Sequence, residues 1–252
     1  MNNATTLFQL PQLARRAIFL APLLGALIAL PAGAATSGSG KTASETRTVG
    51  DFQAIKSAGS MDLVVKQGAQ TSVQVSADDN LLPLLETVVE GSGDNATLHV
   101  RWKRGESIHS RGHVMISIVT PKLSMVSAAG SGDIQVQAFQ TPALQVAVAG
   151  SGNAKLDNLS TDDLGIRISG SGDVAGQGRA AKMKVSIAGS GSVKLSELKS
   201  EDVTVSIAGS GDAAVNAQKT LSVSIAGSGD VTYTGDAMVK STVAGSGSVK
   251  RK

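Results

Sequence analysis

Val-Ser-Ile-Ala-Gly-Ser-Gly occupies residues 185–191, and the same seven residues return at 205–211 and 223–229. Outward from these copies, Gly-Ser-Gly triplets begin at Gly130, Gly150, Gly170, Gly189, Gly209, Gly227 and Gly245, in steps of 20, 20, 19, 20, 18 and 18 residues. Self-similarity at that period marks a repeat architecture. Apolar residues stand six, four and two positions before the triplets, as Leu144/Val146/Val148, Leu164/Ile166/Ile168, Met183/Val185/Ile187, Val203/Val205/Ile207 and Leu221/Val223/Ile225. Strict alternation places them on one face of a strand. Beyond the triplets it resumes with Ile134/Val136, Ala154/Leu156, Val193/Leu195, Ala213/Val215 and Val231/Tyr233. Each unit therefore reads as strand, tight glycine corner, second strand and polar turn.

Two all-β architectures use such a unit. Hairpin turns at the triplets would give an antiparallel meander or barrel, because glycine supplies the positive φ that tight turns need. Corners at the triplets would give a right-handed parallel β-helix-like solenoid with equivalent residues stacked ~4.8 Å apart. Stacking rewards identity between units, which a meander does not, so the solenoid is the expected fold. The turn residues are then Gly130 and Gly132, Gly150 and Gly152, Gly170 and Gly172, Gly189 and Gly191, Gly209 and Gly211, Gly227 and Gly229, and Gly245 and Gly247. The first unit departs from the pattern, with polar Ser124 where the others carry Leu, Met or Val. Terminal repeats are commonly atypical where they meet a cap.

The repeats are expected to span 122–252, with an N-terminal β cap over 48–121. That block holds short alternating runs such as Leu63-Val64-Val65, Val73-Gln74-Val75, Leu98-His99-Val100-Arg101-Trp102 and Met115-Ile116-Ser117-Ile118, separated by Gly, Asp and Asn. Residues 81–89 allow a helical turn that Pro83 keeps short. Residues 35–47, with Ser-Gly-Ser-Gly near the front, read as a flexible linker. Residues 1–34 read as a signal peptide: Arg15-Arg16, an apolar run from 17 to 30 and the small-residue site Ala32-Gly33-Ala34. The run is shorter than the ~20 residues that cross a bilayer, so no transmembrane segment is expected in the mature chain. The absence of cysteine excludes disulfides, thiol nucleophiles, thiolate metal sites and a lipidated cysteine. An exported protein of the periplasm, cell envelope or exterior of a bacterium is expected, and not a lipoprotein.

A resemblance rests on Val49-Gly50-Asp51-Phe52-Gln53-Ala54-Ile55, on residues 114–121, and on 123–134 with its Ala-Gly-Ser-Gly-Asp-Ile. Over about residues 48–252 the chain resembles the putative auto-transporter adhesin head, or GIN, domain family of bacteria. The resemblance implies an exported, all-β, β-helix-like domain with an adhesin-like role. It brings no catalytic residues.

The chemistry-bearing residues are sparse. Asp133, Asp173, Asp212 and Asp230 follow triplets, with Asn153, Ser192 and Ser248 in the same place elsewhere. One carboxylate per unit is a thin supply for Ca²⁺, which takes six to eight oxygens, and the expected role is turn chemistry with nearby backbone amides. No Lys-Ser/Thr follows a triplet, which removes a phosphate cradle. The acid pairs Asp162-Asp163 and Glu201-Asp202 are the nearest approach to a glycosidase pair, and a carbohydrate-active β-helix enzyme is the alternative function. His99, His109 and His113 lie among basic residues around 103–112, a loop expected at a hairpin tip. Arg101, Trp102, Lys103, Arg104 and Arg111 form the candidate binding loop for an anionic surface or glycan. Formal net charge is +3, of which Arg15 and Arg16 supply two, so the mature chain is near neutral and nucleic acid is not an expected partner. The expectation is a non-catalytic envelope or cell-surface scaffold without cofactors, whose partner is a cell-surface protein, a glycan or an envelope polymer.

Overall fold

The computed structural model describes residues 35–252, so the signal-peptide reading of 1–34 lies outside the described residues. The chain winds into a β-solenoid of stacked parallel strands. Strands Ala154–Gly170, Val174–Gly189, Ser192–Gly209 and Asp212–Gly227 each run from one triplet to the next, bending at a second, polar corner. The residues before each triplet build a front sheet and those after it a back sheet. Neighbouring coils pair in parallel with equivalent residues opposed: Val126, Val146, Ile166, Val185, Val205 and Val223 form one inward row. Ala128, Val148, Ile168, Ile187, Ile207 and Ile225 form the next. On the back sheet, Ile134, Ala154, Val174, Val193, Ala213 and Val231 face them. All are buried. At ~1.5–3 kcal/mol for each fully buried Val, Leu or Ile, these rows supply the main favourable contribution to folding. The meander alternative is thereby replaced by parallel stacking.

The corner explains why the triplet repeats. φ at Gly209 is +130°, and a Cβ there would stand 2.3 Å from the carbonyl oxygen of Gly189. At Gly211, where φ is not positive, a Cβ would still lie 2.3 Å from the carbonyl oxygen of Gly191 and 2.7 Å from Ile187 Cγ2. The first glycine is thus required by conformation and by packing, the third by packing alone. Between them the serine points outward, and its amide donates to the first glycine one coil back, as in Ser210 to Gly189 at 2.9 Å and Ser228 to Gly209 at 2.9 Å. Each coil dictates the backbone of the next.

Stacking begins before the regular triplets do. Ala54–Gly59 pairs in register with Met125–Gly130, so that Gly59 stands over Gly130, and Asp62–Gln67 continues the back sheet. Ser124 meets this earlier coil: its amide and its hydroxyl both donate to the Gln53 carbonyl, at 2.7 and 3.0 Å. That polar bond replaces the apolar contact of the other coils.

Thr97–Trp102 and Met115–Thr120 still run parallel to Ala54–Gly59 and Asp62–Gln67, and beyond them the order gives way to antiparallel strands. Leu85–Glu90 closes the front sheet against Thr97–Trp102. Ser72–Asp78 pairs with Met115–Thr120 and then with Thr42–Arg47, which closes the back sheet. Residues 35–47 are therefore not a flexible linker. Thr42–Arg47 is a strand, because Ala43 packs against the core and Arg47 donates to the Leu82 carbonyl at 2.6 Å while pairing with Glu45 at 3.0 Å. Glycine and serine set flexibility only where no partner strand is in reach. Residues 81–89 make a 3-10 turn, Leu82–Leu84, before entering their strand.

Candidate binding surface

Residues 103–114 take the place of a corner triplet. The strand before them, Thr97–Trp102, lies in the front sheet parallel to Ala54–Gly59, and the strand after them, Met115–Thr120, lies in the back sheet parallel to Asp62–Gln67. The two flanking strands do not pair with each other, so the loop is a corner insertion and not the expected hairpin tip. Period-2 alternation marks both strands, and the choice of partner is invisible to it.

The candidate residues separate into two groups. Ala58 opposes Arg101, which brings Trp102 over Gly59: the indole Cδ1 and Nε1 lie 3.5 Å from where a Cβ on Gly59 would stand. Trp102 is half-buried and ends the row of corner glycines. Arg101 is clamped between Glu86 at 3.2 Å and Glu90 at 3.0 Å, whose hydrogen bonds raise its already high pKa. Both residues hold the cap together. Lys103, Arg104 and Arg111 are exposed on the insertion itself.

The insertion is fastened by a buried carboxylate. Asp78 is 1% exposed and accepts from the Gly40 amide at 3.0 Å, the Arg111 amide at 3.1 Å and the Ser110 hydroxyl at 3.1 Å. Burial is the largest single influence and opposes its charge, but the donors Arg111, Ser110, Gly112 and Gly40 together outweigh it and hold the pKa below the ordinary value. A Cβ on Gly38 would collide with this carboxylate at 1.9 Å, so a glycine is needed beside it. Thr36–Ser37 adds a parallel pairing with Ile108–His109. The role of Asp78 is not legible in the sequence, where Asp78-Asp79-Asn80 reads as ordinary turn chemistry. Its partners lie about 30 to 40 residues away.

The histidines are not gathered. His99 lies 3.6 Å from Glu90, His113 lies 3.8 Å from Asp62, and His109 pairs with Ser37. Among the described residues no group of three or more His, Cys, Asp or Glu is placed to hold a metal ion.

The acids after the triplets bond across coils. Asp133 Oδ1 accepts from the Asn153 amide at 2.8 Å, Asn153 Oδ1 from the Asp173 amide at 3.2 Å, and Asp173 Oδ1 from the Ser192 amide and hydroxyl at 3.0 and 2.7 Å. Asp212 and Asp230 repeat the contact at 2.8 Å to the amides of Asp230 and Ser248. The expected amide bonding is present, but the amide belongs to the next coil. The Ser192 hydroxyl chiefly lowers the Asp173 pKa, and the Ser248 hydroxyl that of Asp230. Of the acid pairs, Glu201 holds Lys219 and Asp202 accepts from the Thr220 hydroxyl at 2.6 Å. Asp163 and Asp202 stand on one outward row either side of Lys182.

Comparison with known proteins agrees with this architecture. A family model described as "Putative auto-transporter adhesin, head GIN domain" matches residues 51–237. No curated protein matches the chain. Among solved structures, a putative adhesin from Bacteroides fragilis is 23% identical, covers 86% of this chain and 100% of its own, and superposes with a TM-score of 0.78. A putative adhesin from Parabacteroides merdae is 25% identical over 86% of this chain and 98% of its own, with a TM-score of 0.68. A structure described as a putative lipid binding protein from Parabacteroides distasonis is 24% identical over 86% and 99%, with a TM-score of 0.71.

Proposed function

The chain belongs to the family of the auto-transporter adhesin head GIN domain, and from that membership we propose that it is an exported, non-catalytic scaffold that binds an anionic polymer of the cell surface or envelope. The binding face is the insertion 103–114, through Lys103, Arg104 and Arg111. One observation carries the reading: a basic loop replaces a glycine corner at the capped end, and a buried Asp78 holds it through the Arg111 amide and the Ser110 hydroxyl while also accepting from the Gly40 amide. A loop kept for linkage alone has no use for such fastening. Preorganisation lowers the ordering cost of binding, and three exposed cations on a fixed backbone supply an electrostatic footprint whose strength falls with salt.

The corner acids support a non-catalytic role, since their Oδ1 atoms are engaged in joining coils. Retention of residues 35–252 on cell-wall and glycan fractions, measured together with release of soluble product, tests the reading. Retention without turnover, weakened by salt and lost in the Lys103→Gln/Arg104→Gln/Arg111→Gln variant, is the expected result. Product release abolished by one carboxylate substitution, such as Asp163→Asn or Asp202→Asn, would favour a carbohydrate-active enzyme instead.

A further inference from the structure

The front sheet carries an outward row in which one position, Gly165, has no side chain of its own and lies under the Gln145 amide. The row reads Gln145, Gly165, Lys184, Thr204, Ser222 and Lys240, one residue per coil. Glycine in the middle of a strand weakens it and often marks a place where a ligand comes close to the backbone. The corner glycines are required by the fold, but Gly165 is not. Its φ is not positive, and a Cβ there would meet only the movable tip of Gln145, with Oε1 at 2.1 Å and Nε2 at 2.4 Å.

Gly165, buried beneath the Gln145 amide, lines a hollow of about 450 Å³. On the same strand Asp163 and Arg167 flank it. On the neighbouring strands Gln145 stands on one side and Lys184 on the other, with Lys182 diagonal to it. Four kinds of hydrogen-bonding group thus converge on one floor: carboxylate, guanidinium, amide and ammonium. Lys155, Lys194 and Lys219 each hold an acid. Among the described residues, by contrast, no ion pair or side-chain hydrogen bond engages Asp163, Arg167, Lys182 or Lys184. Their capacity faces the hollow.

We propose that the hollow over Gly165 is a binding site for a carboxylated sugar unit, separate from the insertion 103–114. Arg167 and Lys184 take the carboxylate, Arg167 through its planar pair of N–H donors. Asp163 accepts from ring hydroxyls, and Gln145 can both donate to and accept from them. With the Gln145 tip swung aside, the ring lies over Gly165, in a space that matches the lower range of small-ligand sites. Mixed charge selects an acidic sugar over a bare anion such as sulfate, which would leave Asp163 facing negative charge without a hydroxyl to accept from.

The test uses trigalacturonate and its methyl ester as probes, with calorimetry on residues 35–252. The acid is expected to bind the wild-type chain and the ester at least tenfold more weakly. Gly165→Gln fills the hollow at a position that tolerates a side chain, so it should melt as the wild type does and bind the acid at least tenfold more weakly. Arg167→Gln should abolish the preference for acid over ester. The Lys103→Gln/Arg104→Gln/Arg111→Gln variant should bind trigalacturonate unchanged, while losing retention on envelope fractions. No binding by the wild type, equal binding by Gly165→Gln, or loss in the loop variant would each overturn the proposal. Because envelope retention reads the loop and trigalacturonate the hollow, failure of one reading leaves the other standing or falling by its own measurement.

Discussion

The two ends of the solenoid solve the same problem in opposite ways. At the N-terminal end the parallel order is broken: antiparallel strands cross both sheets, Trp102 covers the last corner glycine, and inward positions carry the Glu45–Arg47 pair. Inward charge and reversed pairing are devices that keep a sheet edge from recruiting another chain. At the other end of the described residues the last coil, Met238–Gly245 with Val249–Arg251, repeats the register of the coils before it, and no described residue covers it. Its inward positions Val239 and Val243 are 40% and 39% exposed, against 1% for Leu221 and Ile225 one coil earlier. Polarity enters there, with Ser241 on an inward row of Val and Ile and Lys240, Lys250 and Arg251 along the edge. The cap is built from non-repeating sequence, whereas the last described coil is still a repeat.

The sharpest test of this contrast is the same change at two corners. Gly209 is stacked on both sides, so Gly209→Val forces a β-branched side chain into φ +130° and against the Gly189 carbonyl. Strain and overpacking together cost about 3 kcal/mol or more, which lowers Tm by roughly 6–12 °C in a domain of this size. Gly245→Val makes the same clash with Gly227 but on a strand with no described coil beyond it, and should cost less than half as much. Ser210→Val, pointing to solvent, should stay within ~0.5 kcal/mol. Equal melting shifts at the two glycines would show that the ends are no looser than the middle.

Next in size is removal of a whole coil. Deleting 189–208 joins Ala188 to Gly209, a residue that already stands opposite Gly189. Nearest-neighbour stability predicts a shorter, cooperative β protein with Tm reduced by less than Gly209→Val reduces it. Loss of the melting transition by circular dichroism would mean that the cap and the open end depend on each other across the full stack.

Acid separates the two ends further. The folded pKa of Asp78 lies below its unfolded value, as do those of Asp173 and Asp230. Each therefore contributes stability that is fully present above the usual aspartate value of 3.8 and is lost as pH falls through the lower folded value. Amide exchange at Gly40 and Arg111 should speed up in that window as the insertion is released. Asp78→Asn should show fast exchange there already at neutral pH, by about tenfold. Asp173→Asn should remove part of the acid sensitivity while leaving the fold intact, since Asn153 fills the same place in the coil before it. The smallest effect belongs to the open end: Met238, 78% exposed, should tolerate Met238→Ser within ~0.5 kcal/mol, read as an unchanged Tm.

Much of this was legible because a solenoid is nearly one-dimensional. Inward rows such as Val185, Val205 and Val223, and the corners at Gly189, Gly209 and Gly227, follow from a period and an alternation, since each residue meets its own equivalent in the next coil. Sequence could also name Lys103, Arg104 and Arg111 as a basic cluster. What it could not reveal were contacts between unlike segments. Thr42–Arg47 is a strand only because Ser72–Asp78 offers an edge, and Arg101 is a clamp only because Glu86 and Glu90 arrive antiparallel beside it. Asp78 is a fastening only once Gly40 and Arg111 converge on it, and Gly165 lines a hollow only when the strands of Gln145, Gly165 and Lys184 stand side by side. Repetition writes local geometry into the chain, because hydrogen bonding and packing recur at one spacing. Pairing across unequal segments depends on which surfaces remain open once the coils have stacked, and that is decided in three dimensions.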